Sequence, residues 1–423
     1  MNYQKKLKDK IKTKKAVICV IGLGYVGSEL LKKFDLEGFK TIGIDIDIKK
    51  VKKQFKKKSL ILTDNYKNIN NADVIILALP TPLKKNLEPD LSCIESCMKS
   101  MEKYLKKGQL ISLESSSYPG TTEKLIANKL LKKSFILSKN FFLVYSPERI
   151  SPELKVKSSK KVKYGLFNTP KICAGYSNKC LELGNLLYKN ITTSVVQSKN
   201  IKSAETSKMV ENIFRSVNIA LVNELKMFLN KINIDIDEVL DLAGTKPFGY
   251  TSFSPGPGFG GHCIPIDPYY LYWLAKQKNF DLKFIKTAGE INRKVTSWIT
   301  NKIISFIKKN KIKLIKNKIL ILGVAYKKNI DDTRESPGLI IANKLKKSGF
   351  DFDYSDPHVK KINFEGIIKK SKNLNKNLFK KYPVVVLVTD HKTFNYNLIS
   401  KEAKYIFDSR NIINNRKKNY FKV

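Results

Sequence analysis

One short segment restricts the fold of this chain more than any other. An apolar run over residues 15–21 passes directly into Gly22-Leu23-Gly24-Tyr25-Val26-Gly27, and a helical pattern follows. The run reads as a buried strand. Glycines at 22, 24 and 27 permit a tight turn and close approach of the backbone to a pyrophosphate, and the helix N-terminus behind them offers unpaired N–H groups and a favourable dipole. A second apolar strand, 41–44, ends on Asp45, 18 residues after Gly27. A carboxylate there accepts hydrogen bonds from both ribose hydroxyls and repels a 2′-phosphate, so the expected cofactor is NAD rather than NADP. A lone GxGxxG is a weak signal; strand, helix and acid together make it specific. Glu29, early in the helix, suits the dipole but would oppose a pyrophosphate if it turned inward.

The same theme continues along the chain. Further apolar runs at 73–79, 109–113, 141–145 and 171–175 alternate with helical patterns, which implies a doubly wound parallel sheet. Residues 201–232 lack Pro and Gly and show helical periodicity. A helix of that length spans roughly 45 Å, enough to form a spine between domains and an oligomer interface. A Gly/Pro-rich segment, 247–268, and a second helical stretch, 282–309, follow. Strands at 318–322, 351–355, 382–389 and 404–407, with a helix at 336–348, then form a second, smaller α/β domain. The expected fold class is α/β: two Rossmann-like doubly wound domains joined by a long central helix and a helical middle domain. The expected boundaries are 1–198, 199–312 and 313–423. Open parallel sheets bind ligands at the carboxyl ends of their strands, so two such sheets suggest two ligands.

Composition narrows the function classes. At 42% hydrophobic, the 423-residue chain can build several cores. No apolar run reaches the roughly 18 residues a membrane helix needs. The first 15 residues carry seven lysines, and the apolar run behind them is short and ends in the glycine turn. A cytoplasmic protein with no membrane insertion is therefore expected. The net charge of +43 invites a nucleic-acid reading. The lysines, however, are scattered beside Asn and Ile, without basic–aromatic clusters or zinc-finger spacing, so they read as solvated faces. No nucleic-acid partner is expected, although a positive field helps capture an anionic ligand. Cys19, Cys93, Cys97, Cys173 and Cys180 form no CxxC pair and read as small core residues. The three histidines are far apart in sequence and do not suggest a metal site.

The sixth cysteine differs. It lies in Phe259-Gly260-Gly261-His262-Cys263-Ile264-Pro265-Ile266-Asp267. Glycines leave the Cys263 thiol accessible and supply N–H groups for an oxyanion or phosphate. A carboxylate four residues on can orient a neighbour or a water. His262 is tempting as a base, but adjacent side chains usually point apart.

With GLGYVG (22–27), LPTPL (79–83), EPDLS (88–92), ESSSYPGTT (114–122), YSPER (145–149), AETSKMVEN (204–212), GPGFGGHCIPIDP (256–268), GVAYKKNIDDTRESP (323–337) and VTDH (388–391), the chain resembles the UDP-glucose/GDP-mannose dehydrogenase family from its start to Arg410. The resemblance implies an NAD domain, a dimerising helical spine and a nucleotide-sugar domain. It implies that a sugar CH2OH is oxidised to an aldehyde, that Cys263 adds to the aldehyde, and that a thioester forms and is hydrolysed. A covalent thiohemiacetal holds the aldehyde and makes it a hydride donor again. Residue by residue, Lys208 and Asn212 match the pair that stabilises the alkoxide or oxyanion; four apart, they share one helical face. Asp267 matches the acid behind the cysteine, and Glu148 the glutamate that positions the hydrolytic water. Ser116 stands where a threonine hydroxyl is usual. The resemblance also implies cofactor contacts at Thr81 and Arg334, and substrate contacts at Arg149, Lys208, Asn212, Tyr250, Gly258, Gly260 and Lys327.

Three features depart from the family pattern. Ser28-Glu29 replaces the common Leu-Pro, Ile150-Ser151-Pro152-Glu153-Leu154 replaces a DPGN-like turn, and residues 155–163 are lysine-rich. GHCIPIDP with TKPFGY (245–250) and EPDLS resembles the UDP-N-acetylhexosamine branch. This makes UDP-N-acetylglucosamine the expected substrate for surface polysaccharide or O-antigen synthesis. UDP-N-acetylgalactosamine, UDP-N-acetylmannosamine and UDP-glucose stand as alternatives, and a non-catalytic nucleotide-sugar binder is the different class.

Overall fold

The computed structural model describes residues 2–52, 55, 60–132, 135–149, 165, 168–262, 264–413 and 419–423. The chain divides into two compact units, Met1–Glu211 with Tyr269–Asn279, and Asn212–Pro268 with Phe280–Val423.

The first unit is built on strands β1 (Val17–Ile21), β2 (Lys40–Ile44), β3 (Ile61–Thr63), β4 (Val74–Leu77), β5 (Leu110–Leu113), β6 (Phe142–Tyr145), β7 (Lys171–Gly175) and β8 (Val195–Ser198). They form one sheet in the order β3-β2-β1-β4-β5-β6-β7-β8. The central strands are almost wholly apolar and buried, as β-strands covered on both faces must be. Ile18, Val20, Val74, Ile76, Leu110 and Val144 pack with Leu30, Leu31 and Phe34 of the helix Tyr25–Leu36 in one core. One pairing departs from the expected all-parallel sheet: β7 runs antiparallel to β6, with Tyr145 opposite Ala174.

The second unit holds β9 (Lys318–Leu322), β10 (Asp351–Ser355), β11 (Lys361–Phe364), β12 (Ile367–Lys370), β13 (Val384–Leu387), β14 (Tyr405–Asp408) and β15 (Tyr420–Lys422). Strands β10-β9-β13-β14-β15 form a parallel sheet, and β11 and β12 pair as a hairpin. Helices Lys283–Lys309 and Pro337–Lys347 bury Val295, Ile299, Ile303, Ile341 and Leu345 against this sheet.

The spine expected over 201–232 is the helix Ile201–Leu229, followed by a 3-10 turn, Asn230–Ile232. Asn233, at φ 58°, ends it in the left-handed conformation that asparagine tolerates. Both repeats of the strand–turn–helix theme lie where the sequence puts them. The edge strands β3, β8 and β15, the β11–β12 hairpin and the opening helix Tyr3–Lys12 had no counterpart in the sequence reading. These pieces are short or lysine-rich.

Candidate active site

The glycine turn after β1 has the geometry its composition demands. Gly22 has φ +88°, and its N–H donates to the Ile44 carbonyl at 2.9 Å, tying the turn to β2. A Cβ on Gly27 would stand 1.9 Å from the Gly22 carbonyl oxygen, so only glycine lets the helix approach the turn this closely. Gly24 is the opposite case: a Cβ there would meet nothing within 4 Å. The helix Tyr25–Leu36 starts at Gly24 with no side-chain cap. An uncapped N-terminus beside open space, on a dinucleotide turn, fits a pyrophosphate. Asp45 accepts from the Leu23 N–H at 2.7 Å and from the Asp47 N–H at 2.8 Å. Its remaining lone pairs suit a ribose diol. Glu29 pairs with Lys32 at 3.1 Å on a half-exposed helix face, which answers the concern about that acid. Thr81 is buried in the loop after β4. Burial, together with the nearby Glu29 and Glu148 carboxylates, pushes the Tyr25 hydroxyl up to about 12.

Several acids gather at the carboxyl edge of the same sheet. Glu148, three residues beyond β6, accepts the Arg149 N–H on Oε1 at 2.6 Å and lies 3.2 Å from Lys171 Nζ through Oε2. Lys171 also meets Glu114 at 2.6 Å, and this pair is fully enclosed. The Tyr188 hydroxyl donates to the other oxygen of Glu114, and Ser112 joins it at 2.6 Å. Burial raises the Glu114 carboxyl to about 7, although the Lys171 cation opposes the shift. The sequence reading assigned neither Lys171 nor Glu114. Lys171 opens one expected strand and Glu114 directly follows another, so the one available signal was a charged residue at a strand end. Arg149, expected to contact substrate, places its guanidinium 2.8 Å from Glu211 and 3.0 Å from the Pro170 carbonyl. Ser116 is half-buried in the loop after β5, next to Ser115, whose hydroxyl bonds both the N–H and carbonyl of Leu79. Glu205 of the spine helix accepts from the Gly120 and Thr122 N–H groups and the Thr122 hydroxyl, at 2.5, 2.9 and 2.7 Å. It thereby fastens the PGTT loop to the start of the spine.

Further along the spine, the Asn212 amide donates to the Asp267 carboxylate at 2.6 Å, with the two residues 3% and 1% exposed. These expected catalytic residues, 55 apart in sequence, are thus brought into direct contact. Lys208, one turn before Asn212, is half-buried, and no hydrogen bond or ion pair links its ammonium to another described residue. Lys202 is instead an exposed lysine, 3.4 Å from Glu123. Cys263 lies outside the described residues, but the glycines before it are defined. Gly258 (φ +109°) packs on Asn292 and Thr296, and a Cβ on Gly260 would stand 2.5 Å from the Glu335 carbonyl. The Gly261 N–H donates to the Arg334 carbonyl at 3.0 Å. Arg334 has an exposed side chain that meets Asp332 at 2.6 Å, Lys327 is half-buried, and Tyr250 is exposed. Burial and the Arg334 charge lower the His262 pKa, favouring a neutral imidazole.

The second glycine turn differs from the first in how its acid is used. Asp356, just after β10, accepts from the N–H groups of Val324, Ala325, His358 and Val359 and meets His391 Nε2 at 3.0 Å. The rings of His358 and His391 lie 4.9 Å apart. A histidine pair 33 positions apart carries no local sequence signal.

Comparison with known proteins agrees with this geometry. The description "UDP-glucose/GDP-mannose dehydrogenase family, NAD binding domain" matches residues 16–65 and 53–192. The family's central domain matches 202–294, and its UDP binding domain matches 320–415. A UDP-N-acetyl-D-mannosamine dehydrogenase of Methanocaldococcus jannaschii is 33% identical, over 96% of this chain and 95% of that protein. A UDP-N-acetyl-D-glucosamine 6-dehydrogenase of Pseudomonas aeruginosa is 34% identical, over 81% of this chain and 83% of its own. Among solved structures, a UDP-D-ManNAc dehydrogenase from Pyrococcus horikoshii superposes with a TM-score of 0.83 at 28% identity, covering 96% of this chain and 97% of that one.

Proposed function

Because the chain belongs to the UDP-glucose/GDP-mannose dehydrogenase family and has its NAD-binding domain, we propose that it oxidises the C6 hydroxymethyl group of a UDP-N-acetylhexosamine to a carboxylate, with Cys263 as nucleophile. The observation that carries this reading is the buried Asn212–Asp267 bond. It aligns an amide on the spine with the acid four residues after Cys263, an arrangement with no evident use in a passive binder. Bound NAD supplies the hydride acceptor. Lys208 and Asn212 stabilise the negative charge on the sugar oxygen as hydride leaves. Cys263 captures the aldehyde, holds it for the second oxidation, and is released when water attacks the thioester. Glu148 and Ser116 orient that water. The working division is an NAD domain at 1–198, a dimerising helical segment with the cysteine loop at 199–312, and a UDP-sugar domain at 313–423. The product fits synthesis of a surface polysaccharide.

The motifs around TKPFGY favour UDP-N-acetylglucosamine. The UDP-N-acetylmannosamine epimer is the second reading, supported by the names of relatives spanning nearly the whole chain. The test is NADH formation against a panel of UDP- and GDP-sugars. An N-acetylhexosamine should turn over fastest and yield two NADH per sugar, because CH2OH to carboxylate is a four-electron change. A ratio of one with released aldehyde would overturn the thioester route. Loss of acid formation in Cys263→Ala is the companion result, and normal turnover by that variant would contradict covalent catalysis.

A further inference from the structure

Lysine is abundant on this chain's surface, yet Lys171 is enclosed, with only 3% of its side chain exposed. It is the first residue of β7, the strand antiparallel to β6. That reversal carries the start of β7 to the edge where β5 and β6 end. A lysine at this position of a parallel strand would emerge at the opposite edge of the sheet. Its ammonium therefore reaches Glu114, just after β5, at 2.6 Å, and Glu148, just after β6, at 3.2 Å. The ring of Tyr188 lies 5.0 Å below the ammonium, and the Tyr188 hydroxyl donates to Glu114. A buried cation between two carboxylates is costly unless its partners are fixed, and here every partner stands on a regular element or directly beside one.

We propose that Lys171 is a positioning residue for the hydrolytic step: anchored by Glu114 and Tyr188, its ammonium aims the Glu148 carboxylate at the water from which it takes a proton. This rests on the role given above to Glu148. In that step the water oxygen bonds to the thioester carbon, the carbon–sulfur bond breaks, and sulfur leaves with the bonding pair. One water proton passes to Glu148 and from there to the sulfur, leaving acid and free thiol. Glu114 complements the device. Burial lifts the Glu114 carboxyl to about 7, so it readily takes a proton and holds Lys171 as a neutral acceptor as well as an anion. Other groups facing this cluster among the described residues include Tyr25 and the Arg149 backbone N–H beside Glu148, and Cys173 beside Glu114; the Arg149 guanidinium is held by Glu211.

The test separates the oxidative and hydrolytic halves in the full-length protein with NAD and the UDP-N-acetylhexosamine it turns over. Lys171→Met should keep the first-turnover burst of NADH but lose about 100-fold in steady-state rate, a size typical of a misplaced acid–base group. Acyl-enzyme should accumulate by intact mass, with KM little changed. Glu114→Gln, which keeps a hydrogen-bonding anchor for Lys171 but not the carboxylate, should slow deacylation less than Lys171→Met and leave the burst intact. Lys171→Arg should restore part of the rate. Should Lys171→Met fail to fold, Glu114→Gln and Lys171→Arg carry the test, each with an intact burst and a slowed steady state. Full steady-state turnover in Lys171→Met, or a loss falling equally on burst and steady state, would overturn the proposal. Glu148→Gln distinguishes the two levels: if it deacylates normally, the role of Glu148 itself is wrong, whatever Lys171 does.

Discussion

At the scale of single residues, the chain separates charges that look alike in the sequence. Asp45 and Asp356 both follow the second strand of a glycine-turn unit, yet Asp356 is occupied by four backbone N–H groups and His391, while Asp45 accepts from Leu23 and Asp47 only among the bonds defined here. A ribose diol therefore has acceptors free at Asp45. Losing a charge-assisted hydrogen bond costs roughly 1.5–3 kcal/mol, so Asp45→Ala should raise the NAD constant by about tenfold or more and narrow the gap to NADP. An unmoved cofactor constant would mean the ribose binds elsewhere. Lys208 and Lys202 form the second contrast. Lys208→Ala should lower kcat by about 10²–10³-fold, the usual effect of losing one oxyanion donor, with NAD affinity little changed. Lys202→Ala removes a surface pair with Glu123 and should change turnover hardly at all. Equal behaviour of the two variants would make Lys208 one more solvated lysine. Local motifs made Asp45, Lys208, Asn212 and Asp267 legible, because each sits in a recognisable string. Lys171 and Glu114 were not, because their burial depends on the direction of β7, which no local string encodes.

At the scale of elements, the two helix-side glycines of the first turn have opposite jobs. Gly27 makes the turn possible: a Cβ there would collide with the Gly22 carbonyl at 1.9 Å. Gly27→Ala must open the turn, and overpacking of this kind costs about 1–3 kcal/mol or more. Its melting temperature should fall and NAD binding should weaken with it. Gly24 faces open space, so Gly24→Ala should melt like the parent yet lose NAD affinity, because the methyl group occupies room left for pyrophosphate. Calorimetric melts with NAD titrations of both variants check this, and a parent-like affinity in Gly24→Ala would place the pyrophosphate elsewhere. The strong apolar runs, β1, β4, β5, β6, β9 and β13, were readable within a residue or two because burial on both faces makes them continuous. Edge strands such as β12, Ile-Ile-Lys-Lys, face solvent and lack that signature; tertiary pairing, not pattern, makes them strands.

At the scale of the whole molecule, the spine helix and the 3-10 turn after it carry apolar side chains that the chain leaves partly exposed. Phe214, Leu221, Leu225, Phe228 and Ile232 are each more than a third exposed. Their spacings of seven, four, three and four residues place them on one seam of the kind that pairs helices, with Asn218 at an intervening seam position. Scattered exposed apolar residues are ordinary, but a continuous stripe marks an interaction surface. A second copy of this chain is the occupant expected from a self-complementary helix face. Burying one such side chain stabilises by about 1.5–3 kcal/mol, and a two-fold axis doubles every contribution. A charge within the stripe would then be buried twice, once from each copy. Phe228→Asp should therefore convert a dimer into a monomer at micromolar concentration in light-scattering chromatography, while Lys231→Asp, a charge change on an exposed neighbour, should leave the assembly intact. A parent protein that elutes as a monomer at every concentration would remove the dimer altogether. A Phe228→Asp variant that stays dimeric would move the interface away from this helix.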